Sequence, residues 1–316
     1  MVDLLLLAVG FVPLIYGAGR LVEGASSLAK RFNVPPIVIG LTIVAFGTSA
    51  PELVVNLFAA FDQNAAIVLG NVLGSNIFNI LGIIGISALI YPLQVRSRTT
   101  WIEVPLSLLA AVVVLVMANQ QYLDRAALNQ ISRSDGIVLL LFFSIFMAYS
   151  FHSIKSDHPQ EEQPIKLHST LRSWLYIVLG FVLLVVGGRL IVVSAVSFAQ
   201  RIGIPERIIA LTIISIGTSL PELATSAVAA SKRNVDIAIG NIVGSNIFNI
   251  FFILGMTTLV YPAQVTAAAN IDLLTNVAAS LLLFALIFIG RGRRIDRREG
   301  ALFVLLYAGY LLYLLH

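Results

Sequence analysis

The 316-residue chain contains no cysteine, and only 11% of its residues are charged. Without thiols there can be no disulfide framework, thiolate metal site or iron–sulfur cluster. The scarcity of charge excludes more. A soluble domain carries roughly 25% charged residues. This chain is 58% hydrophobic with a mean hydropathy of +0.94, and it lacks the polar surface needed to face water. It reads as an integral membrane protein. The net charge of +4 is small and sits in the loops, so nothing suggests nucleic acid as a partner. The N-terminus, Met1-Val2-Asp3-Leu4, has no basic region, and no small-residue cleavage site follows the first apolar run. That run is expected to be the first span, not a removed signal peptide.

What the chain has in abundance is apolar runs of the roughly 20 residues that a helix needs to cross a membrane. They do not alternate as shorter barrel strands would. Ten spans are expected, near 3–29, 35–61, 65–90, 100–119, 134–152, 173–199, 205–231, 235–260, 270–290 and 298–315. The one long polar stretch, 153–172, holds Lys155, Asp157, His158, Glu161, Glu162 and Lys166 and reads as a tether. It separates a first five-helix repeat, 1–152, from a second, 173–316. The repeats are visible directly. Leu41 to Val95 aligns with Leu211 to Val265 at a constant offset of 170, without gaps and with about half the positions identical. The first and sixth spans share Gly19-Arg20-Leu21 and Gly188-Arg189-Leu190. Five is odd, so the second repeat enters the membrane from the opposite side, which implies inverted topology.

Lys and Arg set the orientation. The side with both termini has Arg125, Arg133, Arg201 and Arg207, against 14 basic residues on the other, including Lys30, Arg31, Lys232, Arg233 and the Arg291–Arg298 cluster. Both termini are expected outside and the tether inside, in the cell membrane. Trp101, Trp174, Tyr91 and Tyr261 fall where interfacial aromatics belong, Arg20 and Arg189 where anchors do, and His152, His158 and His168 in or beside a solvated linker.

The chemistry lies in two kinds of motif. Gly47-Thr48-Ser49-Ala50-Pro51-Glu52 and Gly217-Thr218-Ser219-Leu220-Pro221-Glu222 put a carboxylate, two hydroxyls and a proline inside long apolar stretches. Proline removes a backbone donor and clashes with the carbonyl four residues earlier, so freed carbonyls are expected near Gly47. Charge at bilayer depth is costly and defaults to a functional role. Hydroxyl, carbonyl and carboxylate oxygens are the ligands that hard cations such as Ca²⁺ prefer. The second motif, Gly-Asn-x-x-Gly-Ser-Asn-Ile-Phe-Asn, occurs at 70–79 and 240–249. It places Ser75 with Asn79, and Ser245 with Asn249, on one helix face. Asn76 and Asn246 point elsewhere, into helix contacts or a neighbouring hydrogen-bond network.

These four linked motifs resemble the alpha repeats of the calcium/cation antiporter superfamily, the sodium/calcium exchangers, and are closest to its short prokaryotic members. The likeness spans essentially the whole chain. It implies an all-α fold of ten transmembrane helices in two inverted repeats, with helices 2, 3, 7 and 8 broken around a central cation site. It also implies electrogenic exchange of Na⁺ for Ca²⁺ by alternating access, with no resident cofactor and no enzymatic activity. Carried over by motif position, the implied ligands are Thr48, Ser49, Glu52, Ser75 and Asn79 from the first repeat. Thr218, Ser219, Glu222, Ser245 and Asn249 come from the second, and the backbone carbonyls of Ala45 and Ser215 complete the shell. Similar members often carry an aspartate on the third or eighth span; here both positions are asparagine, so the site holds two formal charges. One Ca²⁺ or two Na⁺ would neutralise it, whereas a third Na⁺ would leave positive charge in low dielectric. H⁺-coupled Ca²⁺ antiport through Glu52 or Glu222 is therefore the alternative. A cation channel would use the same ligands but usually needs several subunits around a pore, and this chain is expected to work as a monomer. An intramembrane hydrolase is disfavoured, since the spans contain no HExxH or GxSxG pattern. The first and sixth spans are expected to slide over the core, with Gly17, Gly19, Gly187 and Gly188 permitting close contact.

Overall fold

The computed structural model describes residues 2–95, 97–123, 125, 128–153, 166–201, 215–289 and 292–315. Most of the tether, including His158, and the first half of span seven, including Arg207, lie outside the described residues. What is described is helical apart from short turns and four strands of two residues each. Six helices are long and apolar enough to cross a membrane: Ala65–Ile90, Thr99–Met117, Arg133–His152, Thr170–Ser194, Val235–Val260 and Ala269–Phe288. A seventh span forms if Pro36–Thr48 and Ala50–Phe61, bent by 47°, are taken together. The surface is inverted relative to a soluble protein. Leu5, Val12, Phe58, Phe61, Ile145, Leu171, Leu175 and Leu305 are exposed, while Thr48, Glu52, Asn71, Asn76, Asn79, Glu222, Asn241 and Asn249 are buried. Trp101 and Trp174 are among the exposed aromatics.

The proline interruptions differ from what the sequence suggests. Pro51 does not interrupt the interior of a helix. One segment ends at Thr48, Ser49 turns (φ −83°, ψ 5°), and a new helix starts at Ala50 with proline in its first turn. Ser219 makes the same turn (φ −89°, ψ 8°) before Leu220–Ser231. Proline is tolerated there because the first amides of a helix have no partner within it. Spans three and eight, expected to break, instead run through as Ala65–Ile90 and Val235–Val260. Their irregularity is a π-helical section in each, Phe78–Ile84 and Phe248–Leu254. Neither stretch contains proline, so no donor is missing and the ladder widens without snapping. Such π-helical turns are frequent at functional sites.

Two small strand pairs tie the loops together. Leu93–Gln94 pairs antiparallel with Arg294–Ile295, and Gln130–Ile131 with Ala263–Gln264. Each clip joins loops from different repeats, separated by an even number of the expected spans, as loops on one face must be. Further contacts extend both groups. Arg233 stacks over Tyr91, next to the first clip. Arg133 donates to the carbonyl of Leu259, next to the second.

The helices Val2–Arg31 and Thr170–Arg201 pack antiparallel against each other, in an apolar cluster around Leu14, Leu21, Ile177 and Leu184 that also takes in Ile39, Val44, Leu220 and Ile237. Their backbones nearly touch. A Cβ at Gly17 would lie 2.9 Å from the Gly180 carbonyl, and one at Gly180 would lie 2.8 Å from Leu21 N. The glycines in this interface are Gly10, Gly17, Gly24, Gly180 and Gly187. Gly19 and Gly188, expected with Gly17 and Gly187 to permit close contact as the pair slides over the core, lie off the interface within the pair: their nearest neighbours are Lys232 Nζ at 3.9 Å and Pro221 Cδ at 4.0 Å. Each follows an interface glycine by one or two residues, which turns it off the contact face. The end of the pair nearest the tether is also anchored. Arg20 meets Glu23 at 3.2 Å and Tyr16 at 2.7 Å. His168, expected in a solvated linker, is half-buried with Nε2 2.8 Å from Glu23 Oε1. Lys232, past the end of Leu220–Ser231, donates to the Gly19 carbonyl, and burial lowers its ammonium below the usual lysine range.

Two outcomes are expected. Because the chain has no native cysteine, the pair Gln94→Cys and Arg294→Cys should form a disulfide on mild oxidation, as facing strand residues about 5 Å apart can. Gln94→Cys with Gln264→Cys should not; a mobility-shift gel with and without reductant reads both. Gly180→Val, whose side chain would meet backbone on the opposing helix, should destabilise the protein by about 1–3 kcal/mol in a detergent melting assay.

Candidate cation site

Glu52 and Glu222 occupy the first turns of the half-helices Ala50–Phe61 and Leu220–Ser231. A helix N-terminus carries partial positive charge and favours a carboxylate. Leu53 and Leu223 N–H close these turns onto the Ser49 and Ser219 carbonyls at 3.1 and 3.0 Å. Both glutamates are about 1% exposed or less. A carboxylate so deep needs donors, and each draws one from the other repeat. Ser49 donates to Glu222 Oε1 at 2.9 Å, and Ser219 donates to Glu52 Oε1 at 2.9 Å. Ser245 adds a longer bond to Glu222 Oε1, 3.4 Å.

The threonines follow the same crossing rule. Thr48 donates to Asn241 Oδ1 at 3.0 Å, and Thr218 to Asn71 Oδ1 at 3.5 Å. Ser75 also donates to Asn71 Oδ1, at 3.2 Å, so it joins the network through Asn71. Asn241 in turn donates to Ser226 Oγ at 2.9 Å and the Glu222 carbonyl at 3.3 Å. The final pair lies at the π-helical sections. Asn79 Nδ2 donates to Asn246 Oδ1 at 2.9 Å, and Asn249 Nδ2 donates to Asn76 Oδ1 at 3.0 Å.

What remains is a set of acceptors without donors. Among the described residues, Glu52 Oε2, Glu222 Oε2, Asn79 Oδ1 and Asn249 Oδ1 are buried and accept no hydrogen bond. Buried polar atoms are nearly always partnered. Here four acceptors at matched positions in both repeats are left open, which is the arrangement a cation would complete. The hydroxyls of Ser49, Ser219 and Ser245 donate to carboxylate oxygens and those of Thr48 and Ser75 to amide oxygens, and a hydroxyl that has donated its proton can still offer a lone pair to a metal ion. No group of three or more His, Cys, Asp or Glu is present among the described residues. The donor set is therefore oxygen from hydroxyls, amides and two carboxylates, suited to Ca²⁺ or Na⁺ and not to a transition metal.

Of the sequence-derived ligands, Ser49, Glu52, Ser219, Glu222 and Ser245 are joined directly. Thr48, Thr218, Ser75, Asn79 and Asn249 connect through other asparagines. The Ala45 carbonyl accepts the Ser49 amide at 3.0 Å and lies 3.3 Å from the Thr48 hydroxyl, so it is already engaged. Ser215 opens the short Ser215–Thr218 helix. Sequence reasoning missed Asn71 and Asn241, although Asn71, Ser75 and Asn79 recur every four residues on one apolar helix, a pattern that marks a single polar face.

The comparisons with known proteins agree. The family model for the sodium/calcium exchanger protein matches residues 2–152 and 172–316. This chain belongs to the sodium/calcium exchanger family. CaxA of Alkalimonas amylolytica is 40% identical over 311 residues, covering 96% of this chain and 95% of that one. The sodium/calcium exchanger MaX1 of Methanosarcina acetivorans is 33% identical over 350 residues, covering 100% and 99%. Among solved structures, the sodium-calcium exchanger NCX_Mj soaked with Na⁺ and Sr²⁺ superposes with a TM-score of 0.83 at 30% identity, covering 97% of both chains.

In this exchanger the crossed serine–glutamate bonds should matter even without ions. Ser49→Ala would strip Glu222 of its shortest side-chain hydrogen bond and lower stability by about 1–3 kcal/mol. Adding Glu222→Gln, which removes the charge needing that donor, should restore part of the loss. Cation-free thermal melting of both variants checks this.

Proposed function

We propose that this chain is a secondary-active antiporter that exchanges Na⁺ for Ca²⁺ across the cell membrane by alternating access. The observation that carries the reading is the set of four buried oxygens without donors, on Glu52, Glu222, Asn79 and Asn249. With the neighbouring hydroxyls they approach the 6–8 oxygen ligands that Ca²⁺ takes. Ca²⁺ and Na⁺ would compete for the same oxygens, and that competition enforces exchange. The architecture behind the proposal is ten spans in two inverted five-helix repeats, working as a monomer with both termini outside. It is supported by the gapless offset of 170, by the crossed hydrogen bonds, and by the two clips that join loops of different repeats. The helix pair Val2–Arg31 and Thr170–Arg201 would move against the core to switch access. Its glycine-lined contact, with backbones close enough to interlock, favours motion as a unit.

H⁺-coupled exchange is the second reading, and one observation favours it. Asparagine stands at both 79 and 249, so the site carries only two carboxylates. A Ca²⁺ that leaves can be replaced by two Na⁺ or by two protons with equal charge balance.

Reconstituted protein in liposomes should take up ⁴⁵Ca²⁺ when an outward Na⁺ gradient is imposed. Glu52→Gln and Glu222→Gln should each lower uptake by about tenfold or more, since each removes half of the site's charge. Undiminished uptake in both would overturn the site. Uptake driven by a pH gradient without Na⁺ would replace Na⁺ coupling with H⁺ coupling.

A further inference from the structure

Resting on the cation-site reading above, we propose that Asn76 and Asn246 are positioning residues. Each fixes the amide of the opposite repeat's last motif asparagine, Asn249 or Asn79, so that its oxygen, not its nitrogen, is offered to the cation. A primary amide is ambiguous: one end accepts and the other donates two hydrogens. Facing a metal ion, the oxygen binds and the NH₂ group repels. Something must decide which end is presented. In Asn249 the nitrogen is taken by Asn76 Oδ1 at 3.0 Å, and in Asn79 it is taken by Asn246 Oδ1 at 2.9 Å. The oxygens of the same two amides are buried without a donor. All four side chains are 2% exposed or less.

Asn76 is itself held. Asn76 Nδ2 donates to the Asn246 backbone carbonyl at 3.2 Å. The two residues thus meet at the contact between spans three and eight. Each lies in its own repeat next to a serine of the site but acts on the asparagine of the other repeat. This crossing gives the proposal a signature that general packing would not produce: Asn76 should couple energetically to Asn249, and not to Asn79, which lies one turn away on its own helix.

The test is a double-mutant cycle on the purified full-length protein, reading the dissociation constant for Ca²⁺ alone by equilibrium ⁴⁵Ca²⁺ binding. Asn76→Leu should weaken Ca²⁺ binding by about tenfold or more, the usual cost of removing a partner that orients a metal ligand. In an Asn249→Ala background the same substitution should add less than about twofold, because the ligand it orients is gone. In an Asn79→Ala background it should keep most of its effect. Asn76→Asp keeps an acceptor for Asn249 Nδ2 and loses, like Leu, the donor to the Asn246 carbonyl. Its affinity should not fall below wild type, and it tests the proposal if Asn76→Leu fails to fold. Equal effects in both alanine backgrounds, or a loss in Asn76→Asp matching that in Asn76→Leu, would overturn it. The two levels separate cleanly. If Glu52→Gln and Glu222→Gln still bind Ca²⁺, the cation site itself fails; if they lose it while Asn76→Leu binds as wild type, only the positioning role fails.

Discussion

A serine of each repeat donates its proton to the glutamate of the other, and most of the structure follows from that exchange. A carboxylate in an apolar interior must be satisfied by donors, by a counter-charge, or by both. Here each glutamate receives a hydroxyl proton on Oε1 and none on Oε2. The half-helix termini add favourable field without adding a full charge. The carboxylates are therefore stabilised enough to be tolerated and not enough to be indifferent to a cation. A third strong donor such as arginine would have ended that balance by filling the site with protein.

The backbone makes the exchange possible in two ways. Serine–proline turns at 49–51 and 219–221 let each helix stop and restart, so that Glu52 and Glu222 sit at a terminus. In the third and eighth spans the same need for polar groups at depth is met by widening the helix at 78–84 and 248–254. The difference comes down to proline. With it, an amide donor is lost and the break must fall where donors are idle; without it, every amide still finds a carbonyl and the helix continues. Both solutions obey the rule that irregular backbone at membrane depth must be enclosed by protein.

Much of this was legible in the residues. The charge deficit, the offset of 170 and the paired GTSxPE and GSNIFN motifs lead to spans, repeats and an oxygen-rich site without coordinates. Three features were not legible, for a common reason. Helical periodicity tells which residues share a face of one helix but not what that face meets. It could place Ser75 and Asn79 together, yet not that Asn79 would bond to Asn246 of the other repeat. It could mark Gly17, Gly19, Gly187 and Gly188 as contact residues, yet not that Gly17 and Gly187 would meet the partner helix of the pair while Gly19 and Gly188 turn toward Lys232 and Pro221. It could locate proline, yet not that the helix would reset its register so that Pro51 falls in a first turn. Each depends on how two helices are placed against each other, a relation that a single helix's pattern does not encode.

Symmetry constrains the chemistry further. Six inter-repeat bonds in the site form three matched pairs: Ser49–Glu222 with Ser219–Glu52, Thr48–Asn241 with Thr218–Asn71, and Asn79–Asn246 with Asn249–Asn76. Departures are few and fall on one side, such as Ser245, which reaches Glu222 while Ser75 reaches Asn71. With asparagine at both 79 and 249, neither half carries the larger charge. With both ionised, Glu52 and Glu222 would be balanced by one divalent or two monovalent cations, and because each draws its serine donor from the other repeat, neither half can hold its carboxylate without the other.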